Sequence, residues 1–339
     1  MKTITNKEFY LGFEDLPKPK YPFPDYIHPQ FEQQRQEYYQ WIDTEYAIHS
    51  KEAREKHKKH HLTDIAARGC PFLKSIEELR PLSNYTANGA MMDDYFDKCS
   101  RREMYDITQR IISILNGELR DEPEENGIFH LYWVLRQDAL KINIPKNIYD
   151  RFVRSIRYVF EGYSEEKIYY RSNTVPPLAV YLLIREATSG VLPYCDYAAL
   201  QKDYREIPDY IFEHPHLKRI YTLCGLMIGI HNDIISLPKE LHREEDTMNL
   251  VKVIQNEKNI PMKDAYMEAI KLHDEYLHEF LILQKHLPPF EGFHDLVANY
   301  VKDLGIMISG VYAWHTNDTS RYVNGGFVEG EYVSNINQQ

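Results

Sequence analysis

Two clusters of residues carry the chemistry. In MMDDYFDK, Asp93, Asp94 and Asp97 stand together, and helical spacing puts Asp93 and Asp97 one turn apart on a shared face. Carboxylates crowded in this way repel one another unless cations lie between them. Hard oxygen ligands on one rigid helix, with coordination positions left open for substrate phosphates, suit Mg²⁺ better than softer metals. An isolated DDxxD is more often a solvated acidic helix face. In HNDIISLPKE, Asn232, Ser236 and Glu240 recur at i, i+4 and i+8, so an amide oxygen, a hydroxyl and a carboxylate form one stripe. All three are hard ligands that suit one Mg²⁺; the alternative is the polar end of a core helix. Position favours ligation, because the preceding IYTLCGLMIGI is apolar nearly all round and delivers the stripe to the end of a buried helix.

Stretches such as FEQQRQEYYQWIDTEYAI, MYDITQRIISILNG, FHLYWVLRQDALKI and IYDRFVRSIRYVFEGY show apolar residues at three- and four-residue spacing, bounded by Gly, Pro or Asn. Each predicts an amphipathic helix. The runs 175–187, 220–230 and 296–314 are apolar nearly all round, the pattern of helices at the centre of a bundle. Period-two alternation is confined to short ambiguous pieces, and no internal repeat is visible. The expectation is one all-α domain of about ten helices over 30–322, preceded by an extended Pro- and aromatic-rich arm over 1–29 and followed by a flexible tail over 323–339.

With 339 residues, 43% of them hydrophobic, the chain can bury a large core. A net charge of −11 without a basic block argues against nucleic acid or an anionic membrane as partner, and means that an anionic substrate needs metal ions to bridge it to carboxylates. No segment reads as a signal peptide or as about 20 apolar residues able to span a bilayer, so the chain is expected in the cytosol. Cys70, Cys99, Cys195 and Cys224 lack C-x-x-C spacing and read as reduced thiols.

DDxxD followed by NDxxSxxKE resembles the paired metal motifs of microbial class I terpene synthases. EEDTMNLV, WHTNDTSRY and the upstream YPFPDYIHP are similar to further features of that family, so the likeness runs from Pro22 to Tyr322. It implies the class I terpenoid synthase helical bundle around a central cavity, three Mg²⁺ ions and an isoprenoid diphosphate substrate, cyclised to a terpene or terpene alcohol with release of diphosphate. It assigns Asp93 to metal, with Asp94 and Asp97 in support, and Asn232, Ser236 and Glu240 to a further ion. Lys239, Arg321 and Tyr322 would contact the diphosphate, and Arg185, in YLLIREATSG, resembles the family's diphosphate-sensing arginine. A cation on a buried apolar helix needs an anionic partner, and a structural ion pair is the alternative. Thr188, Ser189 and Gly190 would break that helix and free carbonyls towards the pocket. Pro238, between Ser236 and Glu240, threatens a kink that would move Glu240 away.

Once the carbon–oxygen bond ionises, the cation needs an apolar, aromatic wall. Trp314 is the first candidate for that wall, with Tyr85 and Phe96 behind it. Gly89, Ala90, Met91 and Met92 before the aspartates, and Cys224, Gly225 and Gly229 before Asn232, predict a roomy pocket. The expected substrate is therefore geranylgeranyl diphosphate, with farnesyl diphosphate close behind. A prenyl-chain elongating synthase and a non-catalytic helical scaffold are the competing readings; a homodimer is left open.

Overall fold

The computed structural model describes residues 13–323, apart from 47, 49, 97, 125–126 and 242–246, together with residue 326. Among them there is no strand, and fourteen α-helical segments form. Ten of these have nine residues or more, in line with the ten expected from periodicity. The other four, Lys51–Lys58, Leu62–Gly69, Leu192–Tyr197 and Asp209–Phe212, are too short to show a helical repeat in sequence.

Local chemistry sets the boundaries. Arg101–Asn116 starts on a capping box in which Ser100 and Glu103 exchange hydrogen bonds, and stops at Gly117 with φ of 75°. Pro215–Glu240 starts with Pro at its first position, where the missing N–H costs nothing. It runs unbroken through Pro238, so the feared kink does not separate Glu240 from Ser236. Among the described residues one helix is long and apolar enough to cross a membrane, and it is this one; 83% of its most apolar window is buried inside the bundle. Apolarity here reflects a central position, which corrects the expectation that no segment comes near that length.

Three long helices wall the centre: Ile76–Phe96, Pro215–Glu240 and His294–Ala313. A fourth, Leu178–Thr188, ends beside it at the expected break, with Gly190 at φ of 69° and the chain restarting as Leu192–Tyr197. The carbonyls there are partly claimed. Ser189 Oγ donates to Glu186 O at 2.9 Å, and Tyr85 Oη donates to Gly190 O at 2.9 Å, so these two are not free to face a ligand. Residues 13–30 thread aromatic side chains into the bundle. The Phe13 ring meets Tyr266 edge-on at 5.7 Å, and Phe23 packs where a Cβ on residue 305 would lie 2.7 Å from its ring, which requires Gly305. All four cysteines are buried free thiols.

Candidate active site

A cavity of about 310 Å³ opens between these helices. Along each wall helix, apolar positions lead to polar ones. On Pro215–Glu240, Ile228 and Gly229 precede Asn232, Ser236, Lys239 and Glu240, all of which line the cavity. On His294–Ala313, Met307 and Val311 precede Trp314, and the chain then returns Arg321 and Tyr322 to the same wall. On Ile76–Phe96, Tyr85, Thr86, Gly89 and Ala90 line it. Asp93 and Asp94 stand near the end of that helix, and their side chains lie outside the described residues. Asp97 lies outside the described residues.

Arg185 is the hub. Its side chain is 13% exposed; Nη2 lies 2.7 Å from Asp233 Oδ1 and donates to Asn232 Oδ1 at 2.8 Å and Gly229 O at 3.0 Å. Burial alone would lower its pKa, but the Asp233 carboxylate outweighs that and holds the guanidinium charged, above its ordinary value. Asp233 also accepts from Tyr181 Oη and, at 3.0 Å, from the Leu250 amide. The structural ion pair weighed against diphosphate sensing therefore exists, yet it leaves Arg185 on the cavity wall. Asp233 and Tyr181 had no assigned role in the sequence reading.

Glu240 accepts from Asn249 Nδ2 at 2.7 Å, and burial, with the nearby Asp233 charge adding, raises its pKa. Asn232, Ser236 and Glu240 thus bring an amide, a hydroxyl and a carboxylate to one wall, a donor set that fits a divalent cation of the Mg²⁺ kind. Among the described residues no group of three His, Cys, Asp or Glu could hold a metal, so this half of the site depends on amide and hydroxyl ligands. Helix Lys146–Ser172 adds Glu166, Lys167 and Tyr170 to the wall, a contribution hidden in its amphipathic repeat.

Trp314 is 2% exposed and forms part of the lining. Its indole N–H donates to the carbonyls of His61 at 2.9 Å and His60 at 3.2 Å. The same turn secures the following segment: Ser320 N donates to Lys59 O at 3.1 Å, His61 Nδ1 donates to Asp318 O at 2.8 Å, and Arg68 forks onto Asp318. Arg321 and Tyr322 are held against the cavity in this way. Tyr85 lines the cavity, whereas Phe96 is fully buried against Phe160 and Tyr163 and does not. Cys224 and Gly225 also fall outside the lining. A Cβ on residue 225 would lie 3.2 Å from Glu186 O, so this glycine serves helix contact and does not enlarge this cavity.

The turn that docks the C-terminal segment makes stability pH-dependent. Burial lowers the pKa of His60 to about 4 and that of His57 well below its ordinary value, with the charge of Arg321 adding to both. The unfolded chain binds protons on these rings near 6.5, so stability is full above that pH and is lost as pH falls towards 4. For His60 the loss is about 3 kcal/mol. Urea midpoints at pH 7.5 and 5 should therefore differ markedly, and His60→Gln should flatten the difference; equal slopes in both proteins would refute this.

Comparison with known proteins gives the class to which this all-helical fold and its cavity belong. Residues 85–279 match the model of terpene synthase family 2, C-terminal metal binding. The 10-epi-cubebol synthase of Sorangium cellulosum is 26% identical over 313 residues, covering 86% of this chain and 94% of its own. The 7-epi-alpha-eudesmol synthase ((2E,6E)-farnesyl diphosphate cyclizing) of Streptomyces viridochromogenes is 26% identical over 306 residues, covering 86% and 88%. The crystal structure of a-eudesmol synthase superposes with a TM-score of 0.77 at 22% identity, covering 89% of this chain and 99% of that one. The chain belongs to the microbial class I terpene synthase family and is a terpene cyclase with that family's all-helical fold.

Proposed function

We propose that this cyclase ionises farnesyl diphosphate with Mg²⁺ and closes the resulting allyl cation to a cyclic sesquiterpene or sesquiterpene alcohol. The observation that carries the reading is one cavity whose wall combines Arg185, Asn232, Ser236, Lys239, Glu240, Arg321 and Tyr322 with apolar and aromatic side chains. Asn232, Ser236 and Glu240 would hold one ion, and Asp93, Asp94 and Asp97 would serve the others of a three-ion cluster. Bound Mg²⁺ supplies Lewis-acid stabilisation of the charge that gathers on the departing diphosphate.

The chain's own groups do the rest. Arg185, Lys239 and Arg321 place positive charge, and Tyr322 a hydroxyl, where diphosphate oxygens must lie, so the leaving group keeps the electron pair of the broken carbon–oxygen bond. Ile65, Ile228, Met307 and Val311 exclude water from the cation, and the faces of Trp314 and Tyr85 offer it a negative quadrupole. Ring closure uses the substrate's own double bonds, and the final cation loses a proton or captures water.

The C15 chain replaces the C20 chain expected from small residues. Cys224 and Gly225 do not line the cavity, nor do Met91 and Met92, which leaves Gly89, Ala90 and Gly229. A volume of about 310 Å³ stands at the lower end of ligand pockets, and the related eudesmol synthase is named for farnesyl diphosphate. Farnesyl and geranylgeranyl diphosphates competing in one vessel with Mg²⁺ should give a kcat/KM preference of about tenfold or more for the C15 substrate. A preference for C20 overturns the assignment.

A further inference from the structure

We infer that His315 is a positioning residue that fixes which atom of the Asn232 amide faces the metal; the inference rests on the magnesium reading above. His315 stands on the π-helical turn Trp314–Asp318, 7% exposed. Its Nδ1 lies 2.9 Å from Val311 O. A carbonyl only accepts, so the ring proton is on Nδ1 and Nε2 presents a lone pair. The Asn232 amide atom 2.9 Å from Nε2 must therefore donate, which makes it Nδ2. On the other side, Arg185 Nη2 lies 2.8 Å from the second amide atom. A guanidinium only donates, so that atom is Oδ1.

His315 and Arg185 thus agree on one orientation of the amide, whereas Tyr322 Oη, 2.7 Å from Nδ2, can donate or accept and would suit either. The consequence is chemical. Only Oδ1 can serve as a metal ligand; a flipped amide would put an NH₂ in its place, beside the Arg185 guanidinium. His315 itself is wedged between rings, with centroids 4.7 Å from Trp314, 4.9 Å from His231 and 5.3 Å from Tyr322. His231 is tied in turn by Tyr21, whose Oη lies 2.7 Å from His231 Nδ1 and 2.8 Å from His273 Nε2. The imidazole is held by its neighbours and its backbone bond, so it can dictate the orientation of Asn232.

The test uses a carboxylate, which has no wrong way round. Calorimetric titration of the full chain with Mg²⁺ and inorganic diphosphate compares the parent, His315→Phe, Asn232→Asp and the double variant. Phe keeps the ring packing and removes the acceptor. His315→Phe should weaken magnesium-dependent diphosphate binding by about tenfold or more in the parent. In the Asn232→Asp background the same change should cost less than about threefold. His315→Leu provides the same comparison if the phenyl ring does not pack. Equal losses in both backgrounds overturn the inference alone, because His315 would then act through packing. No magnesium-dependent binding by the parent overturns the functional reading and the inference with it.

Discussion

Arg185→Ala is expected to lower kcat/KM by on the order of 10³ and also to destabilise the fold, two effects with separate causes. Loss of one preorganised donor aimed at developing charge typically costs 10²–10³-fold, and here the orientation of Asn232 is loosened as well. The stability loss, about 3 kcal/mol or more, comes from Asp233, which is 2% exposed and would be left as a buried charge without its cation. Combining Arg185→Ala with Asp233→Asn should recover much of the stability and none of the activity, since a buried carboxamide is cheaper than a buried carboxylate. Thermal melts and steady-state kinetics on the single and double variants separate the two. Parent-level kcat/KM in Arg185→Ala would reduce Arg185 to a structural ion pair.

Asn232→Ala is the second large effect, with the opposite balance: turnover at limiting Mg²⁺ should fall about a hundredfold or more while stability changes by about 1 kcal/mol. Asn232 is half-buried on a cavity wall, so truncation opens no core void. Asp93→Asn should behave alike. Raising Mg²⁺ should restore part of the rate in either variant if each has lost one ligand of several. Unchanged turnover in both at limiting Mg²⁺ would remove the metal assignment.

Helical periodicity and ligand spacing carried much of the fold and of this wall. Asn232, Ser236 and Glu240 share a face by arithmetic alone, and a helix apolar on every side has to be central. Asp233 illustrates what such arithmetic misses. One residue on from Asn232 it points about 100° away from the stripe, and its partners Arg185 and Tyr181 come from another helix. His315 escapes for a related reason. Its role depends on a carbonyl one turn back and on the amide of Asn232, contacts that only the assembled π-helical turn reveals.

The substrate-length expectation rested on weaker ground. Small residues in a buried helix mark either cavity space or close helix contact, and composition does not distinguish them. Gly225 sits against the backbone of Glu186, and Gly229 lies 3.0 Å, from a would-be Cβ, to the Arg185 side chain. Only Gly89, with nothing within 4 Å of a would-be Cβ, provides the open space that was read into all of them.

Metal-assisted ionisation followed by ring closure is open to one direct measurement. The purified chain is incubated with farnesyl diphosphate, once with Mg²⁺ and once with a chelator, while released diphosphate is quantified and extracts are analysed by gas chromatography with mass detection. A cyclic C15 hydrocarbon or alcohol is expected in step with diphosphate, and neither product under chelation. Diphosphate release or cyclisation that persists without the metal, or an intact substrate under both conditions, would contradict it.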